Sequence, residues 1–254
     1  MALKRGDKVA ATARDSQALD YLVAIYGDEI IALSLDVTGR DAVFEAVARA
    51  HRHFGRLDVI LCNAGYGYMG AVEEVVTAEA RANFETNVFG TLSVIQAALP
   101  LLRAQKSGQI LTVSSIGGVI WFPTGGIYVA TKFAVEGMTE ALAAEVVSFG
   151  MKVSIIEPGS FATGFRSSMK TAPVMAEYGA VRQAVLSAFK PEMSGDPEAT
   201  AAAILKLVDA DNPPLRLLLG TGPLPMIKKL YERRLDTWDQ WAEVSNAAQG
   251  NRAA

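Results

Sequence analysis

The chain of 254 residues has a single cysteine, Cys62, so an intrachain disulfide is excluded and nothing points to an oxidising compartment. It has two histidines, His51 and His53, too few to build a His-rich metal site and better read as part of a solvated helix face. No run approaches about 18 apolar residues, which excludes an ordinary transmembrane helix and gives no reason to expect a membrane partner. A basic excess is also lacking: Lys plus Arg number 24 against 27 Asp plus Glu, for a net charge of −3. Nonspecific nucleic-acid binding needs a cationic footprint, so no nucleic-acid partner is expected. The first residues, Met1 to Lys8, carry charge with no apolar stretch behind them, unlike a secretory leader. A cytoplasmic location is the resulting expectation.

What is present is an ordinary globular composition, 50% hydrophobic and 20% charged. Strand-like and helix-like patterns alternate along it. Lys8–Ala13, Ile30–Leu35, Val59–Cys62, Ile110–Ser114, Lys152–Ile156 and Leu215–Leu219 read as strands. Between them, helices are expected over Ala18–Tyr26, from a cap at Asp41 to Phe54, over Glu79–Gln105 with a kink or break at Pro100, and from Gly125-Gly126 to Phe149. Asp196-Pro197 is an N-cap followed by proline at the first helical position, opening a helix to Val208, and Leu224–Val244 reads as a terminal helix. Ala2-Leu3-Lys4-Arg5 before Gly6 has the character of a helix end. Alternation of this kind implies parallel strands joined by crossover helices, and near-continuously apolar strands such as Ile30–Leu35 imply a sheet covered on both faces. The expectation is one domain over residues 1–254, an α/β, doubly wound and mostly parallel sheet with helices on both faces. Residues 160–195 are expected to cover the substrate, and 222–254 to form a C-terminal helical extension. Ligands of such sheets bind beyond the C-terminal strand ends.

The chemistry-bearing residues lie at those ends. Tyr128 and Lys132 are four residues apart on a helix and share a face. A lysine cation about 5 Å from a phenol, at an effective dielectric near 20, supplies roughly 3 kcal/mol, or about two pKa units. A tyrosine so tuned can pass a proton to or from a carbinol oxygen. Ser115 ends the preceding strand, thirteen residues before Tyr128. Asn63-Ala64-Gly65 follows another strand, Asn87 lies in a helix, and Pro158-Gly159 with Thr163 follows a third strand.

In these motifs, together with Asp36-Val37, the chain resembles the short-chain dehydrogenase/reductase family from about Gly6 to Leu219. The resemblance implies a Rossmann-type fold and an NAD(P)(H)-dependent oxidoreductase that interconverts a secondary alcohol and a carbonyl by hydride transfer. It implies that Tyr128 is the general acid/base and that Lys132 holds the nicotinamide ribose hydroxyls and lowers the tyrosine pKa. Ser115 then orients the carbonyl, and Asn87 supports a water-linked relay to Lys132. The remaining motif residues, Asp36, Val37, Asn63, Ala64, Gly65, Pro158, Gly159 and Thr163, bound the cofactor. At the end of the second strand stands Ala13 followed by Arg14 rather than an acid. A guanidinium suits a 2′-phosphate, so NADP(H) is expected over NAD(H), with an Arg14–Asp15 surface pair as the competing reading. Helices Val88–Gln105 and Ile127–Phe149 correspond to the family's usual assembly surfaces, which implies a homodimer or homotetramer. The substrate is expected to be a small-molecule alcohol or carbonyl.

The family's first strand and its TGxxxGxG loop have no evident counterpart, so the first βα unit is expected to be missing from the sheet. A start placed too far downstream is the favoured explanation, with a truncated gene or a noncatalytic, cofactor-impaired binding scaffold as alternatives. The missing strand would sit between Lys8–Ala13 and Val59–Cys62, and its absence would leave backbone groups unpaired or rearrange the sheet. A literal G-x-G-x-x-G at Gly65, Gly67 and Gly70 is read as a coincidence rather than a phosphate cradle. Phe161, Phe165, Met169, Val174, Met175 and Tyr178 make the covering segment apolar, which suggests a lipophilic or aromatic carbonyl, or simply helix packing. Trp238 and Trp241 are expected to line a pocket or a subunit interface.

Overall fold

The computed structural model describes residues 1–188 and 194–250. Its strands are β1 (Val9–Ala13), β2 (Ile30–Ser34), β3 (Val59–Cys62), β4 (Tyr68–Met69), β5 (Gly108–Val113), β6 (Met151–Pro158), β7 (Lys170–Thr171) and β8 (Arg216–Leu219). The helices up to the first long pair are α1 (Ala2–Arg5), α2 (Asp20–Tyr26), α3 (Arg40–Phe54), α4 (Thr77–Phe84), α5 (Thr91–Gln105) and α6 (Gly126–Val146). After them come α7 (Phe165–Ser168), α8 (Gly179–Ala188), α9 (Pro197–Val208), α10 (Pro223–Gln240) and α11 (Ala242–Ala247).

The main sheet has the order β3-β5-β6-β8, all parallel, with Ile110 opposite Val153 and Ile156 opposite Leu217. Alternate side chains feed two cores. Ile60, Ile110, Val153 and Met151 pack on one face against Ile95, Ala98 and Leu102 of α5 and Leu142 and Val146 of α6. Leu111, Ile156 and Leu219 pack on the other face against Leu207 of α9. Helices therefore cover both faces of a parallel sheet, as the alternation of patterns required.

The sheet is interrupted. β1 pairs only with β2, and this two-stranded sheet is not hydrogen-bonded to β3. Among the described residues no strand pairs with the free edge of β1 or of β3. Val59 and Leu61, on one face of β3, are exposed. The β1–β2 pair is held instead by side chains: Leu33, Leu35, Val43 and Ala46 form a small core with Ala97 of α5. The first βα unit was expected to be missing, leaving backbone groups unpaired or the sheet rearranged; among the described residues β1–β2 stands apart from the four-stranded parallel sheet, and β4–β7 forms a third, two-stranded one.

Three local expectations are also corrected. Asp41 does not cap α3; Gly39 stands at its N-cap and Asp41 lies in the first turn. Pro100 sits inside α5 without ending it. The break in the Glu79–Gln105 stretch falls instead at Glu85–Gly90, a π-helical segment between α4 and α5. By contrast, Asp196 caps α9 as read, its carboxylate accepting from the Glu198 N–H at 2.9 Å with Pro197 next to it.

Candidate active site

The C-terminal ends of β3, β5 and β6 open onto a cavity of about 900 Å³. Asn63, Gly65, Ser115, Tyr128, Lys132, Pro158, Gly159 and Thr163 line it. The strand ends deliver Asn63, Ser115 and Pro158, while one face of α6 delivers Tyr128 and Lys132. Apolar walls come from Phe122, Phe161, Phe165, Met69, Met169 and Leu186.

Tyr128 and Lys132 are both buried, at 7% and 5% exposure. The Lys132 ammonium donates to the Val113 carbonyl at 2.9 Å and lies 5.9 Å from the Tyr128 ring centroid. Burial brings the Lys132 ammonium down to about 8, with the carboxylate of Glu136 working against the shift. Burial also raises the Tyr128 phenol above its ordinary value, and Ser115 counters this in part. This departs from the expectation of a lysine-lowered phenol: burial sets the direction of the shift, and the Lys132 ammonium is directed at the Val113 carbonyl. Ser115 Oγ accepts from the Gly117 N–H at 3.0 Å, which fixes the hydroxyl at the end of β5. The Phe165 ring lies over Tyr128, its centroid 5.6 Å away.

Asn87 is in the π-helical segment and 1% exposed. Its Oδ1 accepts from the Tyr66 N–H, and its Nδ2 donates to the Tyr66 carbonyl and to Thr131 Oγ1, each at 3.0 Å. Asn83, one turn earlier and unremarked in the sequence, donates to the same carbonyl at 2.9 Å. Both polar atoms of the Asn87 side-chain amide are thus engaged in clamping the loop after β3. A π-turn of this kind re-aims a side chain out of α-helical register, and such turns recur at functional sites. Gly65 is pressed against this clamp. A Cβ there would stand 3.0 Å from Asn87 Oδ1 and 3.6 Å from Lys132 Nζ.

The segment after β6 folds back over the cavity. β7 pairs in parallel with β4, and the backbone N–H groups of Lys170 and Ala172 donate to Gly67 and Met69 carbonyls. This gives the G-x-G-x-x-G run a physical reason. A Cβ on Gly67 would fall 2.8 Å from Met169 Cγ, and one on Gly70 would fall 2.5 Å from Ala172 Cβ. The glycines admit the covering segment rather than a phosphate. Glu74, absent from the sequence reading, is the second tie. Its buried carboxylate accepts from the Ala71 and Met175 N–H groups at 2.7 Å and from Arg182 at 2.6 Å. These donors hold its pKa below the ordinary carboxylate value, burial opposing them. The signal was present as an acid three residues after Ala71, but its long-range partners, Met175 and Arg182, were not visible in it.

Arg14, Asp36, Val37 and Ala64 do not line this cavity. Arg14 follows β1, its carbonyl accepting from Ser34 Oγ at 3.0 Å. The Asp36 carboxylate accepts from the N–H and hydroxyl of Thr38, which lower its pKa. Val37 packs against Gly90, where a Cβ would come within 2.7 Å. Arg14, Asp36 and Val37 belong to the separate β1–β2 side and its connections, while Ala64 lies in the loop after β3. Trp238 and Trp241 are each 62% exposed and do not line the cavity. The expected covering stretch 160–195 includes residues 189–193, and the expected terminal extension includes 251–254; both stretches lie outside the described residues.

A parallel α/β sheet with a buried tyrosine, a buried lysine and a half-buried serine converging on one cavity beyond its strand ends has the form of a dehydrogenase-type site. The comparisons with known proteins give that class a family. The family model for short chain dehydrogenases matches residues 1–174. "Oxidoreductase BOA17" of Botryotinia fuckeliana is 39% identical over 97% of this chain and 92% of its own length. The "3-ketodihydrosphingosine reductase" of Bacteroides thetaiotaomicron is 37% identical over 79% of this chain and 75% of its own. Among solved structures, a short-chain dehydrogenase from Streptomyces avermitilis superimposes with a TM-score of 0.89 at 38% identity, covering 97% of this chain and 92% of that one. "ElxO with NADP Bound" superimposes at 0.73 with 27% identity, covering 88% and 91%. The chain belongs to the short-chain dehydrogenase family, a family of nicotinamide-dependent oxidoreductases.

Proposed function

We propose that the chain interconverts a lipophilic ketone and its secondary alcohol, with NADP(H) as the preferred cofactor. The observation that carries this reading is the meeting of Ser115, Tyr128 and Lys132 on one largely apolar cavity. The residues fit the nicotinamide half of the cofactor, because Gly65 leaves bare backbone where a side chain would strike Asn87. Asn63, Gly65, Pro158, Gly159 and Thr163 would bound it, and Lys132 would hold its ribose hydroxyls. When bound, the cofactor supplies the hydride. Tyr128 gives its phenolic proton to the carbonyl oxygen as the carbon is reduced, and takes it back in the reverse direction. Ser115 donates to the same oxygen and stabilises the charge that develops there. Asn87 fixes the loop that faces Lys132, a place from which a water-linked relay to the ammonium can be supported.

On the adenosine side, Arg14 at the end of β1 supports NADP(H), with Asp36 and Val37 beside the adenine. The interruption between β1 and β3 supports the expectation that no strand bearing a TGxxxGxG loop stands there among the described residues. Exposed Phe89, Phe133 and Val147 on or beside α5 and α6 support assembly into a dimer or tetramer. The lipophilic substrate is favoured by Phe122, Phe161, Phe165 and Met169 on the cavity wall and by the ketolipid named for the Bacteroides relative.

The test is oxidation of NADPH, with NADH as control, against long-chain and polycyclic ketones. Tyr128→Phe is expected to lower turnover by about 10²–10⁴-fold while leaving cofactor binding intact. Turnover unchanged in Tyr128→Phe would overturn the assignment.

A further inference from the structure

Below Lys132 on α6 lies a cluster of acids that the proposed reaction does not use. Glu136, one helical turn on, is 3% exposed, and Glu157 on β6 is 2% exposed. Arg216 of β8 bridges the two carboxylates and reaches Glu140, a further turn along α6, at 3.0 Å. Two buried acids thus share one guanidinium. Among the described residues Glu136 Oε1 has no hydrogen-bond partner, and it lies over Gly118, where a Cβ would come within 2.8 Å of it. Buried carboxylates are costly to keep, and replacing a buried ion network with apolar packing is often neutral or stabilising. An unneeded Glu136 would be an expensive residue at this position.

Its neighbour explains it. Lys132 is buried, its ammonium donates to one backbone carbonyl, and among the described residues no carboxylate forms an ion pair with it. The groups packed around it from β5, the loop after β3 and the π-helical segment are Val113, Ser114, Ser115, Gly65 and Asn87, all uncharged at neutral pH. Along α6 its neighbours are Tyr128 and Glu136. We propose that Glu136 is a positioning residue that keeps Lys132 cationic across one turn of α6, and that Arg216 keeps Glu136 ionised against Glu157. This rests on the dehydrogenase reading only for its consequence, since the lysine charge is a property of the folded chain.

The electrostatics agree in sign. Burial pushes Glu136 up to about 7, Ser114 and Arg216 opposing and Glu157 assisting. Burial brings Lys132 down to about 8, and Glu136 is the group that raises it. Glu136 is therefore mostly ionised, and Lys132 mostly protonated, in the interval between about 7 and about 8. Below it Glu136 takes up a proton; above it Lys132 gives one up.

The test is an NMR titration of the lysine side chains, labelled at Cε, with the Lys132 signal assigned by its loss in Lys132→Arg. Wild-type Lys132 is expected to titrate near 8, well below the surface lysines. Glu136→Gln, close in shape but uncharged, is expected to lower that midpoint by about one unit, the small end of what a nearby opposite charge contributes. At pH 8 this would reduce the cationic fraction about five-fold. Glu136→Asp, which keeps the charge, is expected to restore it. Arg216→Gln is expected to act in the direction of Glu136→Gln and provides the same reading if Glu136→Gln does not fold. A Lys132 midpoint unmoved by Glu136→Gln, or moved equally by Glu136→Asp, would overturn the proposal. The titration needs no turnover, so a shifted lysine in a protein inactive with every ketone would refute the dehydrogenase reading and leave this one standing.

Discussion

Replacing Asn87 by alanine separates two roles that a relay residue and a structural clamp would share. The side chain makes three hydrogen bonds, a buried one to Thr131 and two part-buried ones to the backbone of Tyr66. Alanine removes all three, but the losses are unequal. The Tyr66 carbonyl keeps its bond from Asn83, and the Thr131 hydroxyl still donates to the Tyr128 carbonyl at 2.7 Å. Among the described residues the Tyr66 N–H keeps no partner. Leaving one buried donor unpaired costs about 1–3 kcal/mol, and each of the other bonds contributes about 0.5–1.5 kcal/mol net. A destabilisation of about 3 kcal/mol is expected. For a chain of this size that corresponds to a fall in Tm of roughly 6–12 °C. Thermal and urea unfolding followed by circular dichroism would measure it, with turnover recorded on the same samples. A variant that loses turnover but melts within about 2 °C of wild type would refute the clamp, since that shift is under about 1 kcal/mol.

Two further outcomes are expected from side chains outside the proton-transfer set. Arg14→Ala should reduce the preference for NADPH over NADH in steady-state kinetics, and an unchanged ratio would remove Arg14 from the cofactor site. Glu74→Gln should destabilise the chain by about 1–3 kcal/mol, because Arg182 loses its anionic partner. The folded-state pKa of Glu74 is lowered, so its contribution is complete above the ordinary carboxylate value and is lost as pH falls through the lower folded value. Wild type and Glu74→Gln should therefore differ in urea midpoint at neutral pH and converge in acid; a constant difference would contradict this.

Much of the architecture was legible because it is written in local periodicity. Apolar runs at β2, β3, β5 and β6 and the Asp196-Pro197 cap are short-range signals, and each landed within a few residues. The break at Glu85–Gly90 was not legible, since a π-turn leaves no proline or glycine signature of its own and Pro100 drew attention away from it. Ser115, Tyr128 and Lys132 were found because strand ends and helical spacing bring them together. The reversal of the tyrosine shift was not foreseen, because burial depends on which elements cover α6. Glu74 and Arg182 are more than a hundred residues apart in the chain, and no spacing rule joins such a pair. The glycines at 67 and 70 were visible as a motif, but their partners Met169 and Ala172 arrive from the far side of β6.

The pairing of β4 with β7 divides the covering segment into two kinds of position. Lys170 to Ala172 are bound by backbone and by the space the glycines leave, so they carry the closure. Phe161, Phe165 and Met169 face the cavity just ahead of them; Met169 and the edge of the Phe165 ring both crowd Gly67, and Phe161 lies against Gly195. The seam's hydrogen bonds come from the backbone of Lys170 and Ala172, and the wall rings stand just ahead of them. Phe161 and Phe165 can change in size or polarity without breaking a single seam hydrogen bond. A change at Phe161 or Phe165 therefore reshapes the cavity wall while the β4–β7 seam keeps its backbone bonds, and a change at Phe165 also alters the cover over the Tyr128 ring.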